Sequence, residues 1–388
     1  MEVSKIKLNS NGSESKLSTM ITFKDGRKKE CYFLTDIENE TKIQVNVADA
    51  FLVGLLIPAM QSGEDLILNS PVSERLLWGI KKYIQPELHK MNSRLQMINI
   101  IANTTQINKG CAVATGLSGG VDCFYSILKN KEVEEKNYQI NTLCYYNLYR
   151  LYCDEKKAIE NFAEEKRRKL EVSSALQIPL VTIDSNLWDF YEGFRYVQVH
   201  TLFAMANILC FEGYIGTYYY SAGYTLNEFE MNFEDTAHYD IFLQAFLRTE
   251  AFEMISDSND IERFDKTRFI AKNQVAKKYL DVCNNKILAN KKKVKNCSKC
   301  DKCIRTMLTL DILGILNEFS EIFDLDDYYK NKEAYWIEYK YFSIRTKDVF
   351  IKEIMYYARK KNYKLPDFLG LKVLKYFLKL QVEKVIRR

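Results

Sequence analysis

The sequence predicts an α/β fold in which a parallel sheet carries helices on both faces. Two observations lead to this prediction. From residue 111 onward, short apolar runs alternate with helical segments, and a glycine-rich loop joins the first of these runs to the first helix. Strands that alternate with helices of this length need crossover connections and therefore run parallel, which places a ligand site at their carboxyl ends.

The first hundred residues predict a small α+β unit ahead of this sheet. A hairpin is indicated by the Asp25-Gly26 turn signal between two apolar strands. An apolar helix follows over 47–60, and Ser70-Pro71 provides a cap and a first-turn proline for a second helix.

The rest of the chain divides by its pattern of elements. The alternating part predicts the strands 111–115, 142–146, 179–183 and 214–220, and the helices 121–130, 155–176 and 197–212. Beyond it the chain is mostly helical and rich in Lys and Tyr. We therefore expect an N-terminal accessory domain over 1–105, an α/β domain over 106–320, and a helical C-terminal extension over 321–388.

Composition excludes several classes of protein. With 388 residues, 47% of them hydrophobic, the chain can bury substantial cores, and a formal net charge of +5 does not indicate a polyanionic partner. The N-terminus lacks the apolar segment of a signal peptide, and no run of apolar residues is long enough to span a membrane. We expect a cytoplasmic protein without a membrane partner, whose ten cysteines are free thiols, metal ligands or catalytic groups.

The glycine-rich loop has the properties of a phosphate-binding site. It leaves an apolar strand and enters a helix, so its backbone N–H groups and the helix N-terminus can surround one anion. We call it the glycine loop; it consists of Gly116, Leu117, Ser118, Gly119, Gly120, Val121, Asp122 and Cys123. Its glycines permit close approach, Ser118 can donate a hydrogen bond, and Asp122 complements the helix dipole or lies near a Mg²⁺ on bound phosphates. A ligand-free capped turn is the alternative.

A second motif lies far along the chain. Three cysteines follow CxxCxxC spacing just before an apolar helix, and one further cysteine precedes them across a Lys-rich segment. This cysteine cluster consists of Cys283, Cys297, Cys300 and Cys303. Four thiolates suffice for a closed, structural zinc site, with Lys299, Lys302 and Arg305 nearby to stabilise the thiolates. An iron–sulfur cluster or unligated thiols are the alternatives.

These motifs carry a resemblance to a known family. Ser118-Gly119-Gly120-Val121-Asp122 resembles the signature of the ATP-pyrophosphatase (PP-loop) superfamily, except that Cys123 stands where that signature ends in Ser or Thr. Together with the cysteine cluster, it is similar to the cyano-deazaguanine synthase group. Shorter matches support the likeness: Arg195 with His200-Thr201-Leu202-Phe203, the segment Tyr220-Ser221-Ala222-Gly223-Tyr224, and Lys266.

The resemblance implies an adenine nucleotide alpha hydrolase-like fold and an ATP-dependent ligase or synthase. Such an enzyme adenylates a deazaguanine-like carboxylate, releases pyrophosphate into the glycine loop with Mg²⁺, and forms an amide, nitrile or conjugate. It implies that the glycine loop binds ATP, that Asp122, Lys266 and Arg195 act in catalysis, and that the cysteine cluster holds Zn²⁺. Arg305 is a further candidate for positive charge at the pyrophosphate. We expect a homodimer.

Other functions stay open on the sequence alone. The segments at 146–150 and 225–228 differ from the family pattern where the base would be recognised, so the acceptor can be a protein, as in anti-phage members of the synthase-like group, or a tRNA base. Cys123, Cys144 and Cys153 allow a thiolation mechanism, and His200 and His238 are candidate acid–base groups. A zinc-stabilised nucleic-acid-binding module without catalysis is the alternative from another class.

Overall fold

The structure is a computed structural model that describes residues 1–284 and 295–386. Most of the Lys-rich segment inside the cysteine cluster lies outside the described residues, as do the last two residues of the predicted C-terminal extension. The chain forms two compact units. The first consists of residues 1–117 and 126–260, and the second combines residues 118–125 with the part that follows residue 260. The glycine loop is thus grouped with the C-terminal part of the chain from Ser118 onward.

The first unit contains a large sheet of eleven strands and a pair of short strands. Along the large sheet the order is β13-β12-β9-β10-β11-β4-β3-β1-β5-β7, β2 pairs with β3, and β6 pairs with β8 separately. The strands are β1 (Glu2–Val3), β2 (Lys7–Ser10), β3 (Glu14–Thr22), β4 (Lys28–Asp36), β5 (Leu66–Leu68), β6 (Val72–Ser73), β7 (Ile100–Ile101), β8 (Thr104–Thr105), β9 (Ala112–Gly116), β10 (Thr142–Tyr146), β11 (Leu180–Ser185), β12 (Ile215–Ser221) and β13 (Glu253–Asp257).

The five neighbouring strands from β11 to β13 are all parallel, which confirms the predicted α/β class with a parallel sheet. Four of them are the predicted strands, and β13 is an addition that the sequence reading missed. From one edge of this parallel part to the other, the strands lie in the order β11, β10, β9, β12 and β13. The direction of winding therefore reverses between β9 and β12, which is where open α/β sheets bind ligands, at the carboxyl ends of the strands. The glycine loop follows β9 directly.

The predicted N-terminal hairpin forms and extends the same sheet. Strands β3 and β4 pair from Glu14 opposite Asp36 to Thr22 opposite Lys28, and Gly26 closes the turn at φ +84°. Strand β4 then pairs antiparallel with β11. Arg150 supports this junction, because its guanidinium binds Asp184 on β11 and donates to the Tyr32 hydroxyl of β4 at 2.7 Å.

The described residues contain thirteen α-helices, none of which has both the length and the apolar character that crossing a membrane requires. In chain order they are α1 (Asp49–Ser62), α2 (Glu74–Gly79), α3 (Gln85–Met91), α4 (Val121–Asn130), α5 (Glu155–Leu176), α6 (His200–Leu209), α7 (Asp240–Phe246), α8 (Arg263–Ile270), α9 (Gln274–Tyr279), α10 (Asp301–Ile312), α11 (Leu325–Arg345), α12 (Val349–Lys360) and α13 (Leu369–Ile386).

Helices α1 and α6 form the centre of the first unit's core. Both are buried along almost their whole length and pack against each other. Gly54 permits this approach, because a Cβ atom there would lie 2.8 Å from Leu187 and 3.3 Å from Ala206. The apolar segment 47–60 was predicted as this buried helix, and that prediction is confirmed.

The prediction that Ser70 and Pro71 begin a helix is wrong. Strand β6 follows them, and α2 starts at Glu74 after Ser73. The Ser73 side chain does not cap the helix, because its hydroxyl donates to the Asp49 carboxylate. The backbone N–H of Ser73 donates to the same carboxylate at 2.9 Å. A buried carboxylate from α1 therefore takes the hydrogen bonds of the residue that precedes α2.

Candidate functional site

In the second unit, the glycine loop forms a sharp turn at the start of α4. Gly119 is buried and has φ +86°, a left-handed conformation that strongly favours glycine. The Gly120 N–H lies 3.3 Å from the exposed Ser118 hydroxyl, and the first helical hydrogen bond joins the Phe124 N–H to the Gly120 carbonyl at 3.0 Å. The loop thus leads into a helix N-terminus, where N–H groups without helical partners favour an anion.

Asp122, in the first turn of α4, binds two cations from α8. Its Oδ2 accepts a hydrogen bond from the Arg263 guanidinium, and its Oδ1 lies 3.6 Å from Lys266 Nζ. Arg263 and Lys266 are three residues apart on α8 and so lie on one face of that helix. Lys266 is 1% exposed, which is rare for lysine without an anionic partner. The predicted site residues Asp122 and Lys266 are therefore brought together.

Helix α10 adds a second pair of cations, Lys302 and Arg305, at the same spacing and packs against α8. Burial and the charge of Arg263 lower the pKa of the Arg305 guanidinium. Lys302 is exposed as a residue, but its ammonium group is partly desolvated. This desolvation, together with the charges of Arg263 and Arg305, lowers the pKa of Lys302 as well. Mutual repulsion of this kind means that the four groups are close together. We call them the cation cluster: Arg263, Lys266, Lys302 and Arg305.

Acidic groups also lie beside the cation cluster. Asp122 is one of them, and Asp348 is a second. The third is Glu353, where burial and the neighbouring charge of Glu262 raise the pKa to about 7, so that this carboxyl group is only partly ionised at neutral pH. Within the described residues, the buried Nε atoms of Arg263 and Arg305 have no hydrogen-bond partner. Buried donors without a partner, next to several positive charges, suit an anionic ligand.

The cysteine cluster has the geometry of a four-coordinate metal site. Its four sulfur atoms lie within 4.8 Å of one another, with Cys300 Sγ and Cys303 Sγ 3.4 Å apart and Cys297 Sγ and Cys303 Sγ 3.9 Å apart. Tetrahedral zinc with Zn–S bonds of about 2.3 Å needs sulfurs about 3.8 Å apart. The Cys297 N–H also points to Cys283 Sγ at 3.3 Å. The four cysteines could therefore bind a metal such as zinc, as the sequence predicted.

Asn296 and Ser298 hold the cysteine cluster in shape. The fully buried Asn296 amide accepts from the N–H groups of Val282 and Cys283, at 2.9 and 3.1 Å, and donates to the carbonyls of Leu280 and Ile322. Ser298 adopts φ +60°, which turns the chain between the first two cysteines of the CxxCxxC motif. The sequence reading missed both residues, because only the folded backbone shows that a buried amide joins Cys283 to the rest of the cluster.

The cysteine cluster and the glycine loop are connected within the second unit. The Asp281 N–H donates to the Gly119 carbonyl at 2.8 Å, just two residues before Cys283. Cys300 is the residue that precedes α10, the helix that carries Lys302 and Arg305. The cluster therefore fixes one support of the loop and the start of one cationic helix.

Other predicted residues lie in the first unit. Arg195 forms an exposed ion pair with Glu234. His200 contacts the Tyr220 hydroxyl at 2.7 Å through Nδ1 and Asp235 at 3.1 Å through Nε2, while His238 Nδ1 lies 2.8 Å from the Glu228 carbonyl. Both histidines therefore have polar partners in the fold.

The thiols named as thiolation candidates are largely buried. Cys123 is 4% exposed, in the glycine loop of the second unit. In the first unit, burial raises the pKa of Cys144 to about 12, so its thiol is neutral at physiological pH. Cys153 is half-buried, and its thiol donates to the Tyr149 carbonyl. The buried, neutral thiol of Cys144 is therefore a poor nucleophile in the folded protein.

Fold and site together define an α/β protein with a glycine loop, a cation cluster beside Asp122 of that loop, and a group of four cysteines that could bind a metal. No protein-family model, no curated protein and no solved structure matches the chain. The functional argument therefore depends on the site itself.

Proposed function

We propose that the chain is an ATP-dependent enzyme of the ATP-pyrophosphatase type. In this proposal, the glycine loop and the cation cluster hold the pyrophosphate moiety of ATP, the enzyme adenylates a carboxylate, and a nucleophile then displaces AMP to give an amide or conjugate. A nitrile requires a second ATP, which adenylates the amide oxygen so that this oxygen leaves with AMP. The observation that carries the proposal is the cation cluster on α8 and α10, gathered around Asp122 in the first turn of the helix that follows the glycine loop. Such charge stabilises a leaving pyrophosphate.

Each group has a defined part in this proposal. Ser118 and the loop N–H groups donate to phosphate oxygens, Arg263 and Arg305 supply planar donor forks, and Lys266 adds a buried point charge. Asp122 orients Arg263 and Lys266. Mg²⁺ on the phosphates contributes further neutralisation, and zinc in the cysteine cluster is structural because four cysteines leave no open position.

The acceptor side of the proposal rests on the family resemblance. A deazaguanine-like carboxylate is the proposed substrate, with a protein or a tRNA base as the larger acceptor in a chain that has extra N- and C-terminal segments. Arg195 is kept in this proposal as a catalytic residue that supplies positive charge, on the strength of the resemblance. The active form is proposed to be a homodimer.

Binding of inorganic pyrophosphate tests the site without knowledge of the acceptor. We expect calorimetry to show pyrophosphate binding, and Arg263→Gln to weaken it by about 10- to 100-fold, because a charge-assisted hydrogen bond contributes about 1.5–3 kcal/mol. Arg268→Gln is the matched control, since Arg268 lies on the same helix but forms an exposed pair with Asp265 at 3.0 Å. Absence of binding to the wild type, or equal losses in both variants, would contradict the proposal.

Exchange of labelled pyrophosphate into ATP tests catalysis. The proposal expects exchange that depends on an added carboxylate, such as a carboxy-deazaguanine. No exchange with any carboxylate, combined with RNA binding that weakens steeply as salt rises, would instead favour the nucleic-acid-binding module.

A further inference from the structure

We infer that helix α12 of the C-terminal extension forms part of the proposed pyrophosphate site, where Phe350 positions two arginines for two adjacent phosphoryl groups. This inference rests on the proposed function. It assigns a role to a segment in which the sequence shows no motif, and it gives a physical reason for the site to prefer a diphosphate over a single phosphate. Phe350 is a positioning residue here, since it acts through Arg263 and Arg305.

Phe350 is shared by the cationic faces of two different helices. The guanidinium carbon of Arg305, on α10, lies 4.0 Å from the centre of its ring, and that of Arg263, on α8, lies 4.9 Å away. Guanidinium groups repel each other, and one aromatic ring that attracts both offsets part of that repulsion. The ring therefore contacts both like charges, in addition to the Asp122 carboxylate that binds Arg263.

An aromatic partner leaves the hydrogen-bond donors of an arginine available. Contact with a ring face engages the charge of the guanidinium, whereas its N–H groups lie in the guanidinium plane. Arg263 uses one nitrogen on Asp122, and the buried Nε atoms of Arg263 and Arg305 have no partner among the described residues. Two donor forks on one platform match the oxygens of two linked phosphoryl groups. A single phosphate offers these forks fewer oxygens and less charge, so we expect it to bind more weakly than a diphosphate.

Helix α12 is firmly attached to α8, which makes it a stable platform. Glu353 accepts a hydrogen bond from the Phe264 N–H in the first turn of α8. The Phe264 ring stacks on Tyr357 at 3.9 Å between centroids and 2° between planes, and the Tyr357 hydroxyl donates to Glu262 at 2.9 Å. These contacts place Phe350, one turn before Glu353, beside Arg263.

The test compares inorganic pyrophosphate with inorganic phosphate by calorimetry on the full chain at constant ionic strength. We expect Phe350→Leu, which keeps apolar volume but removes the ring, to weaken pyrophosphate binding about tenfold and phosphate binding less than about threefold. Phe350→Tyr restores a ring and should stay within about twofold of the wild type. Tyr356→Leu is the matched control, because it removes an exposed aromatic from the same helix.

The outcomes separate this inference from the proposed function. Wild-type pyrophosphate binding with no loss in a folded Phe350→Leu variant would overturn the role of Phe350 and leave the proposed site standing. No pyrophosphate binding by the wild type would end both. If Phe350→Leu fails to fold, NMR of the arginine Nε–H groups decides: pyrophosphate should shift the signals of both Arg263 and Arg305, assigned with Arg→Lys variants, and an unmoved pair of signals would overturn the inference.

Discussion

At the scale of single residues, Asp122 is more than a member of the glycine loop. One carboxylate binds Arg263 and also lies 3.6 Å from the buried Lys266. Removing a carboxylate from a buried cation is costly, because the ammonium group loses its compensating charge. Asp122 therefore contributes to the stability of the second unit as well as to the proposed chemistry.

A double-mutant cycle can separate these two contributions. We expect Asp122→Asn to lower the free energy of unfolding by about 1–3 kcal/mol. Lys266→Met, which keeps the approximate length of the side chain but removes its charge, should recover part of this loss in the double variant. Urea unfolding measures the stability, and pyrophosphate titration measures binding. Strictly additive stability effects of the two substitutions would show that the Asp122–Lys266 contact does not stabilise the fold.

How far the site could be predicted from sequence depends on how its residues are spaced along the chain. The glycine loop and the CxxCxxC motif are contiguous, so local pattern was enough to find them. Arg263 is 141 residues from Asp122, and nothing in either segment indicates that they pair. Phe350 lies on yet another helix. Contacts of this kind arise from the packing of α8, α10 and α12, which helical periodicity alone does not determine.

At the scale of elements, the cysteine cluster links a metal to the position of the cation cluster. Cys300 directly precedes α10, and Cys303 lies in the first turn of that helix, between Lys302 and Arg305. Asp281 ties the segment before Cys283 to Gly119. For one element, the sequence pattern led to a wrong prediction. Ser70 and Pro71 resemble a helix cap, but Asp49 takes the hydrogen bonds of Ser73 and the chain forms β6 there instead.

Removal of the metal should therefore weaken anion binding. We expect one equivalent of zinc in the purified protein, and we expect Cys300→Ser or treatment with a zinc chelator to remove it and lower pyrophosphate affinity about tenfold or more through disorder of α10. Elemental analysis and calorimetry measure the two effects. Cys111→Ser is the matched control, since Cys111 is an exposed free cysteine outside the cluster. Iron in place of zinc, or unchanged affinity after metal loss, would contradict this expectation.

At the scale of the whole molecule, the first unit contains a buried acid pair that the proposed chemistry does not use. Asp49, at the start of α1, and Glu212, after α6, are both fully buried and interact with each other. Burial raises the pKa of Asp49 to about 6 and raises that of Glu212 well above its usual value. The folded state therefore keeps protons that the unfolded chain has already lost near neutral pH.

This acid pair predicts that the protein becomes less stable as pH rises. Between the unfolded pKa values, near 4, and the raised folded values, the native state binds more protons than the unfolded state, so the free energy of unfolding falls with increasing pH. From Asp49 alone the loss between about pH 5 and pH 8 is about 1.4 kcal/mol, because the folded pKa of about 6 lies roughly one unit above the lower limit and each unit corresponds to 1.36 kcal/mol. Glu212→Gln keeps the shape of the side chain and can donate to Asp49. It removes a carboxyl group that must hold a proton in the folded state, so it should flatten this dependence and leave the variant more stable than the wild type at about pH 8. Urea unfolding across this pH range measures the effect, with the exposed Glu134→Gln as control. A wild type whose stability stays level or rises over the same interval would contradict the raised pKa values of this pair.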